Sequence, residues 1–118
     1  MAFDVTTALP ATTLAEAKAH LRLDYTAEDA LIEAYILAAT QRAEQICERE
    51  IVKREDPLAL ADDVSTVPSA VKTWVWLYVT EMFERRSMSA GGDADGYGMR
   101  RYDHLLDPFM LYGDEAFV

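Results

Sequence analysis

From Thr26 to Glu50 the chain reads TAEDALIEAYILAATQRAEQICERE, with no Gly or Pro to interrupt it. At about 100° per residue, Ile32, Tyr35, Ile36, Ala39, Ala43, Ile46 and Cys47 share one face, so the stretch predicts a long amphipathic helix over about 27–49 with that stripe in the core. Thr26 followed three residues later by Asp29 has the form of a capping box and predicts the start. The opposite face carries Glu33, Gln41, Glu44 and Glu48, an acidic back on which Leu37 is stranded. A single surface leucine is ordinary, but among glutamates it is also a candidate contact with another chain. Any other element must be arranged against this helix.

Before it, Thr13-Leu14-Ala15-Glu16 is a Ser/Thr-x-x-Glu capping box, and Leu14, Ala17 and Leu21 recur on one face, predicting a short helix over about 14–22. A helix that short is marginal alone and must dock on the long one. Residues 1–12 read as an extended arm, since Pro10 discourages a helix ahead of it. After the long helix, Ile51-Val52-Lys53-Arg54 fits either a last helical turn or a few extended residues. Residues 55–67 have no sustained period and include Pro57 and paired aspartates, which predicts a flexible loop.

Pro68 suits a first helical turn, where its missing N–H costs nothing. A second long helix is predicted over about 68–86, with Val71, Trp74, Val75, Tyr78, Val79 and Met82 on its core face and Arg85 and Arg86 complementing its C-terminal dipole. Trp76 and Phe83 form a second stripe, which is either a widening of the core face under a loop or tail, or a contact with a neighbouring subunit. Residues 87–101 hold most of the glycines and read as flexible. Asp93 and Asp95 there lack the further oxygen ligands of a calcium loop. Short helical turns are expected around Asp103–Leu106 and from Pro108. Leu105, Leu106 and Phe109 must pack on this bundle or on another chain. The fold class is all-α: a small bundle with two long helices, a short N-terminal helix, C-terminal turns and two long loops, in one domain of 118 residues.

A formal net charge of −10 opposes any extended grip on phosphate, which needs clustered Lys and Arg. Cys47 is the one cysteine, so the sequence has no intrachain disulfide and no zinc-binding thiol cluster, and its place on the core face makes it a small buried hydrophobe. The longest apolar run, Trp74–Val79, is too short to span a bilayer, and a soluble intracellular protein is expected with no membrane partner. His20 and His104 are isolated, and neither a phosphate-binding glycine loop nor a nucleophile elbow is present. The carboxylate pairs Glu28-Asp29 and Asp62-Asp63 suit helix starts and solvated loops. No catalytic, cofactor-binding or metal-binding residue is expected, and no enzyme.

The ordered segments resemble the small head-tail connector proteins of tailed bacteriophages and related prophages. TLAEAKAHLRLD (Thr13 to Asp24) followed by EDALIEAYILAATQRAE (Glu28 to Glu44) is similar to that family's opening. Val67-Pro68 leads into a helix whose Phe83, Glu84 and Arg86 resemble its aromatic-Glu-x-Arg signature. Leu105-Leu106-Asp107-Pro108-Phe109 resembles its Leu-Leu-x-Pro-aromatic motif, and Met110 departs from it where Arg is common. The resemblance implies an all-α structural subunit of the virion, assembled in the host bacterial cytoplasm into a usually twelvefold ring of itself. That ring would lie between the portal protein and a tail-proximal connector or stopper protein, with DNA passing through unbound.

A ring of one protein needs two different patches on each subunit. The candidate subunit or partner contacts are Leu37, Trp76, Phe83, Arg86, Leu105, Leu106 and Phe109, and the candidate channel-facing carboxylates are Glu33, Glu44 and Glu48. The competing reading is a small acidic helical inhibitor that presents carboxylates to a basic partner in place of DNA phosphates. A monomeric mimic would avoid exposing an aromatic stripe, which a ring needs.

Overall fold

The computed structural model describes residues 7–85 and 97–110, with side chains from 102 onward in the second span. Arg86, most of the glycine-rich segment with Asp93 and Asp95, and the end of the tail lie outside the described residues. Three α-helices, α1 (Leu14–Leu21), α2 (Asp29–Cys47) and α3 (Ser69–Arg85), are followed by a 3-10 helical segment, Tyr97–Phe109. A single 3-10 turn, Val64–Thr66, precedes α3. The described residues form no strand; their only β pairing is an isolated parallel bridge between Val52 and Ala61.

The start of α1 follows its sequence. Thr13 Oγ1 accepts the Glu16 N–H at 3.1 Å and Glu16 Oε1 accepts the Thr13 N–H at 3.1 Å, satisfying two donors that a helix start leaves open. Arg22 ends the helix in the left-handed region at φ 62°. The start of α2 does not. It begins at Asp29 after Glu28, which makes no side-chain capping bond, and the expected Thr26–Asp29 box is absent. The Asp29 N–H instead reaches the Thr26 carbonyl oxygen at 3.2 Å, while the Asp29 carboxylate lies 2.8 Å from Lys18 Nζ on α1. A tertiary ion pair thus takes the place of the local cap.

Helix α2 stops at Cys47 because Glu48 turns left-handed, at φ 60°, and redirects the chain across the helix. Helix α3 begins at Ser69, with the Lys72 N–H on the Pro68 carbonyl at 3.0 Å. The core stripe is as the period requires: Ile32, Ile36, Ala39, Ala43 and Cys47 of α2 meet Val71, Trp74, Val75 and Val79 of α3, all buried. Each such Ile or Val contributes about 1.5–3 kcal/mol of transfer free energy. Burial pushes the Cys47 thiol up to about 12, so it is inert as a nucleophile.

The C-terminal segment closes the bundle against α3 and α2, and it does so through its own subunit. Leu106 is 0% exposed in this core. The indole N–H of Trp74 donates to Asp103 Oδ1 at 3.1 Å, so Asp103 serves α3. Arg49 Nη1 donates to the Phe109 carbonyl at 3.2 Å and its Nε to the Leu58 carbonyl at 2.6 Å, tying the tail and the loop to the end of α2.

Candidate functional site

Glu33, Leu37 and Glu44 lie within about 40° of one another around α2 at 100° per residue, with Thr40 beside them. The period makes this flank polar and open. In the structure it is roofed. The N-terminal segment is laid on it by one buried bond, the Ala11 N–H donating to Thr40 Oγ1 at 3.1 Å, while the Thr40 hydroxyl donates to the Ile36 carbonyl at 2.8 Å. Ala8, Ala11 and Thr12 are buried as a result.

The chain after α2 roofs the other end. Glu44, expected to face outward, is 0% exposed. Its carboxylate takes both ends of the Arg54 guanidinium fork, at 2.9 and 3.0 Å, and the Ile51 N–H at 3.1 Å. Such bidentate, charge-assisted geometry is what makes a buried carboxylate tolerable. Arg54 Nε continues to Thr7 Oγ1 at 3.0 Å, joining the loop to the N-terminal segment. Glu50 Oε1 accepts the N–H groups of Arg54, Glu55 and Asp56 at 2.6, 3.0 and 3.0 Å. Burial alone would push the Glu50 carboxyl up, but those three N–H groups and the Arg54 charge together hold it below the usual range. Asp56 returns the bond, accepting the Glu50 N–H at 3.2 Å. The segment 50–63 is therefore folded around its own carboxylates, with Val52 paired to Ala61.

Between the two roofs the flank stays open, leaving a groove of about 680 Å³. Its walls include Leu9, Ile36, Leu37, Val52 and Val64, and three exposed carboxylates, Glu33, Asp62 and Asp63, stand among them. Asp63 caps the 3-10 turn through the Ser65 N–H at 2.9 Å, and that serine holds its carboxyl below the usual range.

On the other side of α1, Trp76 is committed within the subunit. Its indole N–H donates to Thr12 Oγ1 at 2.9 Å, and its ring stacks on His20 with centroids 5.6 Å apart. The Thr12 hydroxyl donates onward to Glu16 Oε1 at 2.7 Å, and Lys72 Nζ meets the same carboxylate at 3.1 and 3.2 Å. The Thr12 hydroxyl first, then the Thr13 N–H and Lys72, outweigh burial and hold the Glu16 carboxyl down at about 2.

The candidate residues thus divide. Leu37 and Glu33 meet at the groove; Phe83, Leu105 and Phe109 are half-buried against the core with one side still open; Glu48 is half-buried at the end of α2. Glu44 and Leu106 are corrected: each is wholly enclosed in its own subunit, so neither can face a channel or a neighbour. Arg86 lies outside the described residues. Sequence reasoning missed Thr40 and Arg54. A threonine in the middle of an apolar stripe and the Lys53-Arg54 pair at the head of an acidic loop were the available signals.

A family model described as phage gp6-like head-tail connector protein matches residues 11–110. This chain belongs to that family. The match begins at Ala11, the residue pinned to Thr40, and ends at Met110, so it takes in the roofed flank, the C-terminal closure and the groove except for its Ala8, Leu9 and Pro10 wall. The family is a structural one of the phage virion and not enzymatic, which decides against the inhibitor reading. Comparisons with curated proteins and with solved structures yield no match. Among the described residues no group of His, Cys, Asp or Glu is placed to hold a metal, and no helix is long and apolar enough to cross a membrane. Met110, the last matched residue, is half-buried against the core and its N–H reaches the Asp107 carbonyl at 3.3 Å.

Proposed function

We propose that the connector acts as one subunit of a closed, twelvefold homo-oligomeric ring between the portal protein and a tail-proximal connector or stopper protein. The ring assembles in the host bacterial cytoplasm and remains in the virion. The observation that carries this reading is the family match across residues 11–110. Heterologous closure requires two distinct patches per subunit; the half-buried Phe83, Leu105 and Phe109 supply one on the α3 and C-terminal side.

DNA passes through the ring without specific binding, because a chain of net charge −10 has no means of displacing counterions from phosphate. With Glu44 enclosed and Glu33 at the groove, Glu48 is the channel-facing carboxylate that remains. Native mass spectrometry of the protein with its portal tests the ring, which should give a closed oligomer on the portal. Charge reversal, Glu48→Lys, should then slow DNA ejection, and unchanged ejection kinetics would remove Glu48 from the lumen.

A further inference from the structure

We infer that the groove between the N-terminal segment, α2 and the Val64–Thr66 turn is a docking site for an apolar segment flanked by lysine or arginine, contributed by another protein of the virion. The inference rests on the connector reading only for the source of that segment. The groove itself rests on geometry.

Its volume of about 680 Å³ falls within the roughly 300–1,000 Å³ of built ligand sites, enough to take several side chains. Leu9, 43% exposed, is one of only a few large hydrophobics left open among the described residues, and it forms a wall of this groove together with Leu37. The apolar floor is hemmed by charge of one sign. Glu33 and Asp62 are exposed and make no ion pair among the described residues, and Asp63 points one oxygen at Ser65. Among the described residues no Lys or Arg lines the groove. An occupant that buried its apolar side chains here would bring its flanks beside three carboxylates, within a Debye length of about 8 Å, where cations are favoured and anions opposed.

That charge pattern selects the occupant. A second copy of this chain is a poor one, since it brings a net charge of −10 to an acidic edge, and four of its eleven Lys and Arg residues, Lys18, Arg54, Lys72 and Arg85, are already paired within the subunit. An amphipathic segment with cationic flanks, laid as a short helix or an extended strand, satisfies both the apolar walls and the acidic edge.

The test uses the full-length protein and, as probe, a short amphipathic peptide of leucine and lysine, with methyl NMR on the leucine, isoleucine and valine side chains. Shifts should concentrate at Leu9, Ile36, Leu37, Val52 and Val64, and Leu37→Ser should weaken binding about tenfold. Leu9→Ser, at an exposed position that does not threaten folding, should do the same. Replacing the peptide's lysines by glutamate should abolish binding. Shifts mapping elsewhere, unchanged affinity in both variants, or equal binding of the glutamate peptide would each overturn the assignment. Binding seen only after removal of residues 1–6 would mean that the chain's own N-terminus fills the groove. Groove shifts that follow protein concentration without peptide would mean a second copy does. Either also overturns it. Ring formation on the portal is scored separately: rings without peptide binding remove the groove assignment alone, and peptide binding without rings removes the ring alone.

Discussion

Removing Arg54 should damage this fold more than any surface substitution of comparable size. Arg54→Met keeps most of the apolar stem but strands Glu44, whose side chain is 0% exposed, without the two charge-assisted bonds at 2.9 and 3.0 Å. Bonds to charged groups are worth about 1.5–3 kcal/mol each, and breaking a buried ion pair from one side costs about 3–5 kcal/mol. Against a typical total of about 5–15 kcal/mol, that is a large share, and the midpoint of thermal unfolding should fall by at least about 10 °C. Circular dichroism during urea and thermal unfolding reads it directly. The double variant Arg54→Met/Glu44→Gln separates charge from packing: glutamine keeps an oxygen for the Ile51 N–H at 3.1 Å and removes the stranded charge, so it should recover at least half of the loss. A single-variant loss below about 1 kcal/mol, the range of exposed pairs, would refute the reasoning. It would mean that water reaches Glu44 and that the loop does not roof it.

Thr40→Val should cost about 1–3 kcal/mol, because the buried Ala11 N–H loses its acceptor; amide exchange at Ala11 and Thr12 should quicken well before exchange in α3 does. Trp76→Phe removes the indole donor to Thr12 and should cost about 0.5–1.5 kcal/mol by urea titration, with α1 loosening first. The Glu16 carboxyl is depressed from 4.5 to about 2, so its stabilising contribution is present above pH 4.5 and is lost as pH falls from there toward 2. Because this side chain is 40% exposed, screening reduces that contribution to about 1 kcal/mol. Glu50, also depressed, loses its contribution in the same direction. Glu16→Gln should flatten the acid limb of a stability-against-pH curve, and an unchanged limb would count against the Thr12–Glu16–Lys72 cluster.

What could be read from the residues was what local physics determines. The Thr13–Glu16 box is a four-residue event, and it formed as written. The apolar stripes of α2 and α3 follow from helical period alone, and they meet as expected. Thr26 failed as a cap because Asp29 found Lys18 on another element, which no local rule contains. Glu44 was misplaced for the same reason. Its angle around α2 is right, but whether that flank is solvent depends on a chain reversal at Glu48 and on a partner ten residues later, Arg54. Leu106 was one of several apolar tail residues with no period to distinguish inward from outward. The groove has no sequence signature either, since its walls come from three separate stretches. Only Leu37 among glutamates hinted at it.

The central claim is that this connector closes into a ring on a portal. Cryo-electron microscopy of the full-length protein mixed with its assembled portal tests that claim most directly. The account predicts a closed ring coaxial with the portal, with the face carrying Phe83, Leu105 and Phe109 buried between neighbouring subunits. Isolated copies that never close on the portal, or no binding to it at all, would contradict the account.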